Sequence, residues 1–177
     1  MPLPPIDAAR SLLVLVDIQA RLVPAIAEAE AMVANARRLK DAAGLLGVPV
    51  LLTEQNPDAL GATVRELSGG ETIAKMEFDV TRREGFLAHV PDGAEVILAG
   101  CEAHICVLQT ALGLMAAGHP VRIVRDAVGS RRNENREAAL TRLAAHGADI
   151  VTTEMVVFEW IGTAAHPRFR EVVRLIK

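Results

Sequence analysis

The sequence predicts an α/β domain with a parallel central sheet and helices on both faces. Three observations carry this. Apolar runs of strand length recur along the chain, and they are continuous rather than alternating, which suits strands buried on both sides. Longer stretches with helical apolar spacing lie between them. Glycines close several of those stretches, as helix ends require. Strands alternating with helices imply βαβ units, whose right-handed crossovers cover both faces of a parallel sheet.

Each element follows in order. "SLLVLV" (11–16) reads as a doubly buried strand. Residues 30–46 read as a helix with Met32, Val33, Ala36, Leu39, Ala43 and Leu46 as its inner stripe, stopped by Gly47. "VPVLLTE" (48–54) is the next strand. In "TIAKMEFD", Ile73 and Ala74 suggest a segment entering the core. "EVILAGC" (95–101), "PVRIVRDAV" (120–128) and "ADIVTTE" (148–154) are further strands. Helical patterns occupy 104–117, 133–146 and 167–176, and Gly118 and Gly147 close the first two. There is no repeat, low-complexity tract or linker, so 1–177 reads as one domain.

Composition excludes several classes. Hydrophobic residues make up 51% and charged residues 23%, as in ordinary globular proteins. The net charge is −3, with no Lys/Arg block and no basic–aromatic interleaving, so no nucleic-acid partner is expected. No apolar stretch approaches the roughly 20 residues of a membrane span, and the start does not read as a signal peptide. Two cysteines make no disulfide framework, and a reduced, cytoplasmic chain is the simpler expectation.

In parallel sheets of this kind, sites form beyond the carboxyl ends of the strands. Chemistry-bearing residues should therefore follow apolar runs. Asp17 directly follows "LLVLV", where a buried carboxylate is costly unless paired or used. Lys75 ends the segment begun by Ile73 and Ala74. Cys106 lies in the first turn of the helix after "EVILAGC". A helix N-terminus and a nearby lysine would both depress its pKa. Cys101 ends the strand without that help and reads as a buried hydrophobe. Taken singly, these residues have ordinary structural roles as a turn cap, a solvated lysine and an inert thiol. Together they supply an acid, a cation and a thiol to one sheet edge, the inventory of an activated nucleophile.

"LLVLVDIQ", "KMEFD" and "GCEAHICVLQTALGL" resemble the isochorismatase-like cysteine hydrolase superfamily in order and spacing. "TEQNPDALGATV" and "AAHPRFREVVRLIK" narrow the resemblance to the isochorismatase domain-containing branch. The resemblance implies a three-layer αβα, Rossmann-like fold with a mostly parallel sheet of about six strands. It implies a catalytic triad of Asp17, Lys75 and Cys106. It also implies an oxyanion hole from the backbone N–H groups of Glu102 and Cys106, with a non-proline cis peptide at Cys101–Glu102. On this reading the protein hydrolyses the C–N bond of a small amide through a thioester, without a cofactor. Nicotinamidases of the superfamily carry a metal site after the second strand, built from an Asp and histidines. Here that region reads "TEQNPDALGAT", without histidine, so no catalytic metal is expected. Isochorismatases proper cleave a vinyl ether without the cysteine, so Cys106 favours acyl transfer.

Substrate contacts are expected from Gln19, Gln55, Phe78 and His104. The alternative is a binding or scaffold member of the family with little or no turnover. Thiol redox chemistry between Cys101 and Cys106 is a third class, disfavoured because the spacing is not C-x-x-C. The resemblance implies a homo-oligomer, and Trp160, the only tryptophan, is placed at its interface rather than in the core.

Overall fold

The computed structural model describes residues 3–177. Its centre is β1 (Ser11–Val16), buried along its whole length as the continuous apolar run requires. β2 (Val50–Gln55), β3 (Glu71–Lys75), β4 (Glu95–Cys101), β5 (Val121–Gly129) and β6 (Asp149–Val151) complete one sheet in the order β3-β2-β1-β4-β5-β6. Every adjacent pair is parallel. The strand order reverses beside β1, between β2 and β4, which is where such sheets place their sites.

Two helical layers cover the sheet. Leu13 and Leu15 of β1 pack with Met32, Ala36 and Leu39 of α1 (Ala29–Leu46), and with α5 (Thr153–Ile161) and α6 (Phe169–Ile176). Leu12, Val14 and Val16 point the other way, towards α3 (Leu108–Ala116) and α4 (Asn133–Ala145). The period-two alternation of a strand thus feeds two cores. A one-turn α2 (Pro57–Leu60) follows β2.

The predicted elements return with local differences. The strand expected over 148–154 ends at Val151, and α5 begins at Thr153. Thr152 caps it by accepting a hydrogen bond from Met155 N, and Val156, Val157, Trp160 and Ile161 form its buried face at helical spacing. The helix expected over 104–117 splits into a π-type turn, Ala103–Val107, followed by α3. Single π turns of this kind frequently occur at functional sites. Trp160 is in the core, not on an interface. It is 5% exposed, and its indole Nε1 donates to Ser11 Oγ at 2.9 Å. A buried indole needs such an acceptor, and the start of β1 supplies it.

β1 and β4 approach very closely at their carboxyl ends. Gly100 has φ +119°, and a Cβ there would lie 2.1 Å from Val16 O. Gly100→Ala should therefore destabilise the protein by about 3 kcal/mol or more, by strained backbone and by forcing two central strands apart. Urea unfolding would measure it, and a loss below about 1 kcal/mol would contradict this packing.

Candidate active site

The carboxyl ends of β1, β2, β3 and β4 deliver the polar residues. Asp17 follows β1 in a left-handed conformation, φ +50°, and its amide donates to Thr53 O at 3.1 Å. Its side chain is turned inward and fully buried. Thr53 Oγ1 donates to Oδ1 at 2.6 Å, and Lys75 Nζ donates to Oδ2 at 2.8 Å. A buried carboxylate thus gains the cation and hydroxyl it needs.

Lys75 ends β3 with its side chain also fully buried. Its ammonium has two further acceptors, Gln55 Oε1 at 2.7 Å and the Glu77 carbonyl at 3.2 Å. Cys106 sits in the π-type turn, 6% exposed, with Sγ 3.9 Å from Gln55 Oε1. Asp17 and Lys75 both act on its thiol. The acid, the cation and the thiol expected from the sequence therefore meet at one edge of the sheet.

One electrostatic expectation is reversed. The Cys106 thiol is not depressed but pushed up to about 12, first by burial and then by the Asp17 carboxylate, against the opposing pull of Lys75. Cys101 is more deeply buried, donates to Asp17 O at 3.3 Å, and is pushed well above its ordinary value by burial and by Asp17. Both cysteines are free thiols. Their raised values have a consequence for stability. The unfolded chain ionises near the ordinary thiol pKa while the folded chain holds both groups neutral, so stability present below about pH 9 is lost as pH rises further. Cys101→Ala should remove one proton from that linkage and flatten the alkaline fall by about 1.4 kcal/mol per pH unit. Urea midpoints between about pH 9 and 10.5 would test this, and parallel slopes for the two proteins would contradict it.

The loop entering the turn is held by side chains. The Cys101–Glu102 peptide is cis, as the resemblance implies. The Glu102 carboxylate is buried and accepts from Arg131 N at 3.0 Å and Arg131 Nε at 3.1 Å. His104 Nδ1 and Ser130 Oγ share a hydrogen bond of 2.9 Å. Both ties join the cysteine turn to the segment after β5.

The four expected substrate contacts sit differently. Gln19 is wholly buried. Its Nε2 donates to Gln55 O and Gly61 O, and its Oε1 accepts from Gln55 N, so it grips the chain rather than facing a ligand. Phe78 follows β3, is 52% exposed, and its carbonyl accepts from Thr110 Oγ1 at 3.5 Å. Gln55 Oε1 lies 3.9 Å from Cys106 Sγ, and His104 lies in the same turn as Cys106. Thr53 escaped sequence reading, although a hydroxyl inside an otherwise apolar strand needs a partner, and that was its signal. Among the described residues, no group of three His, Cys, Asp or Glu is placed to hold a metal ion, and no helix is long and apolar enough to cross a membrane.

A parallel sheet in two helical layers, with its polar cluster at the strand-order reversal, places the molecule among the isochorismatase-like α/β proteins. The chain belongs to the isochorismatase family, whose Isochorismatase domain matches residues 11–155. It is 39% identical over 166 residues to zebrafish (Danio rerio) isochorismatase domain-containing protein 1, covering 91% of this chain and 59% of that relative. The chain thus spans well under two thirds of that relative's length. It is 40% identical over 170 residues to Homo sapiens isochorismatase domain-containing protein 2, covering 94% of this chain and 83% of that one. Among solved structures, a Caenorhabditis elegans protein described as MAR1 ribonuclease is 34% identical, with a TM-score of 0.92 over 98% of this chain and 92% of that one. The Escherichia coli YcaC product, described as an octameric hydrolase of unknown specificity, is 25% identical, with a TM-score of 0.88 over 98% of this chain and 97% of that one.

Proposed function

We propose that the protein is a cysteine-dependent hydrolase of a small amide. The observation that carries this is the Asp17–Lys75 pair, 2.8 Å apart and fully buried beside the Cys106 thiol. An ion pair removed from water is costly to build, and a nucleophile beside it gives it a use. The thiol rests protonated. As Sγ attacks the amide carbonyl carbon, its proton passes to Asp17, and the carbonyl π electrons move to oxygen. The backbone N–H groups of Glu102 and Cys106 are the proposed donors to that oxyanion. Lys75 offsets the negative charge shared by sulfur and carboxylate. The oxyanion then collapses, the C–N bond breaks, and Asp17 protonates the leaving nitrogen. Water, deprotonated by Asp17, attacks the thioester carbonyl, and the C–S bond breaks to give the carboxylic acid and the original thiol.

A raised thiol pKa is compatible with this order, because the base acts during attack rather than before it. The same observation favours a second reading, a binding or scaffold protein with little turnover. Small primary amides, assayed by ammonia release and by intact mass for an acyl adduct on Cys106, separate the two. An adduct that forms and clears supports hydrolysis. Saturable binding of an amide without any adduct supports the second reading. RNA belongs in the same assay because of the C. elegans neighbour's description, and the net charge of −3 argues against cleavage. We further propose that the chain self-associates, as the E. coli neighbour's description suggests, and works in the reducing cytoplasm as a free-thiol protein. Size-exclusion chromatography with light scattering reads the association.

A further inference from the structure

We infer that Gln55 is a positioning residue that fixes the Lys75 ammonium between Asp17 and Cys106. The inference rests on the reading of Cys106 as nucleophile and Lys75 as its electrostatic partner. It starts from the sheet. Lys75 rides on β3 and Asp17 follows β1, so β2 lies between them. Strands two places apart are separated by about 9.5 Å, so the lysine side chain must cross the end of β2 to reach the carboxylate. Gln55 is the last residue of β2 and is paired in register with Lys75.

The direction of the Gln55 amide is set by its partners. Nε2 donates to Met76 O at 2.7 Å, which leaves Oε1 facing Lys75 Nζ at 2.7 Å and Cys106 Sγ at 3.9 Å. The Gln55 backbone is itself clamped, since its N–H donates to Gln19 Oε1 at 2.8 Å and its carbonyl accepts from Gln19 Nε2 at 3.0 Å. Two glutamines therefore link three strand ends. Gln19, after β1, holds the Gln55 peptide, and Gln55 holds the Met76 peptide and the lysine head. Each of the three ammonium protons has an acceptor: Asp17, Gln55 or the Glu77 carbonyl. Removing Gln55 would leave one buried N–H without a partner and let the lysine head leave its place beside the thiol. Asp17 beyond β1 and Lys75 on β3 act on the Cys106 thiol, and the other titratable residues leading into its turn are Cys101 at the end of β4, Glu102 and His104.

The test reads the rate of iodoacetamide alkylation at Cys106, resolved by peptide mass spectrometry, across pH in the full chain. Gln55→Met, Lys75→Met and the double variant form a cycle. Gln55→Met should slow labelling at about pH 9 by roughly tenfold and move the profile to higher pH, because the lysine no longer opposes the carboxylate at sulfur. The double variant should be no slower than Lys75→Met alone. Were Gln55→Met to misfold, Gln55→Asn carries the test, since an amide drawn back by one methylene stays polar but loses its reach to the Lys75 ammonium, and the profile should again move up. If Lys75→Met moves the profile but Gln55→Met stays within about twofold of the parent, or the two effects add, the assignment of Gln55 fails and the role of Lys75 stands. If Lys75→Met itself leaves the profile unmoved, both fail.

Discussion

Replacing Cys106 with alanine should abolish hydrolysis of any amide the parent turns over, a fall on the order of 10³-fold or more, while the fold survives. The reasons are separate. No other thiol can substitute, because Cys101 is fully buried and engaged with the Asp17 carbonyl. Without the sulfur no thioester forms, so the single variant forfeits the whole covalent route. The structural cost is small by comparison. One sulfur is lost from a buried residue, with its long 3.9 Å contact to Gln55 and its interactions with Asp17 and Lys75, but the Asp17–Lys75 ion pair itself stays intact. About 1 kcal/mol is expected, at the low end for core truncations. Ammonia release and thermal unfolding on the same preparation measure both halves. Undiminished turnover in Cys106→Ala would end the proposed mechanism.

Asp17→Ala should be the most destabilising change at the site, by about 3–5 kcal/mol, because it leaves the Lys75 ammonium buried without its counter-charge and Thr53 Oγ1 without its acceptor. The sign is checked by a second substitution. Adding Lys75→Met removes the stranded charge, so the double variant should recover much of the loss. Urea denaturation of the parent, both single variants and the double variant reads the cycle. Equal stability of Asp17→Ala and the parent would mean that the pair is not buried as described. Asp17→Asn keeps the size but cannot accept the thiol proton, so it should lose turnover even where it remains folded.

How much of this was legible in the sequence depends on the range of the interactions concerned. "SLLVLV" and "EVILAGC" were read to the residue because a doubly buried strand writes itself as a continuous apolar run. The convergence of Asp17, Lys75 and Cys106 was legible because each follows an apolar run and the parallel sheet brings those ends together. β3 was only half visible. As an edge strand it is largely exposed, and Glu71, Thr72 and Ala74 carry no burial pattern. α5 was hidden because "ADIVTTE" is apolar and β-branched up to the capping Thr152. The direction of the Cys106 shift was misread because helix position is a local property, whereas burial and the Asp17 carboxylate come from distant parts of the chain. Gln19 and Gln55 were placed near the site, but which atoms they grip depends on backbone carbonyls that the sequence does not display.

The placement of Lys75 on β3 has a consequence for motion. The acid and the thiol hang from β1 and β4, the two strands at the centre of the sheet, but the amine hangs from a strand with a neighbour on one side only. Edge elements with few buried contacts open first in the native ensemble. Peeling β3 from β2 would withdraw the cation while the two cores stay folded, so the poised and unpoised forms of the site differ by a local fraying, not by global unfolding. Amide exchange along 71–75 should then run ahead of exchange along 11–16 and 95–101, and the proposed chemistry would depend on how tightly this one edge strand is held.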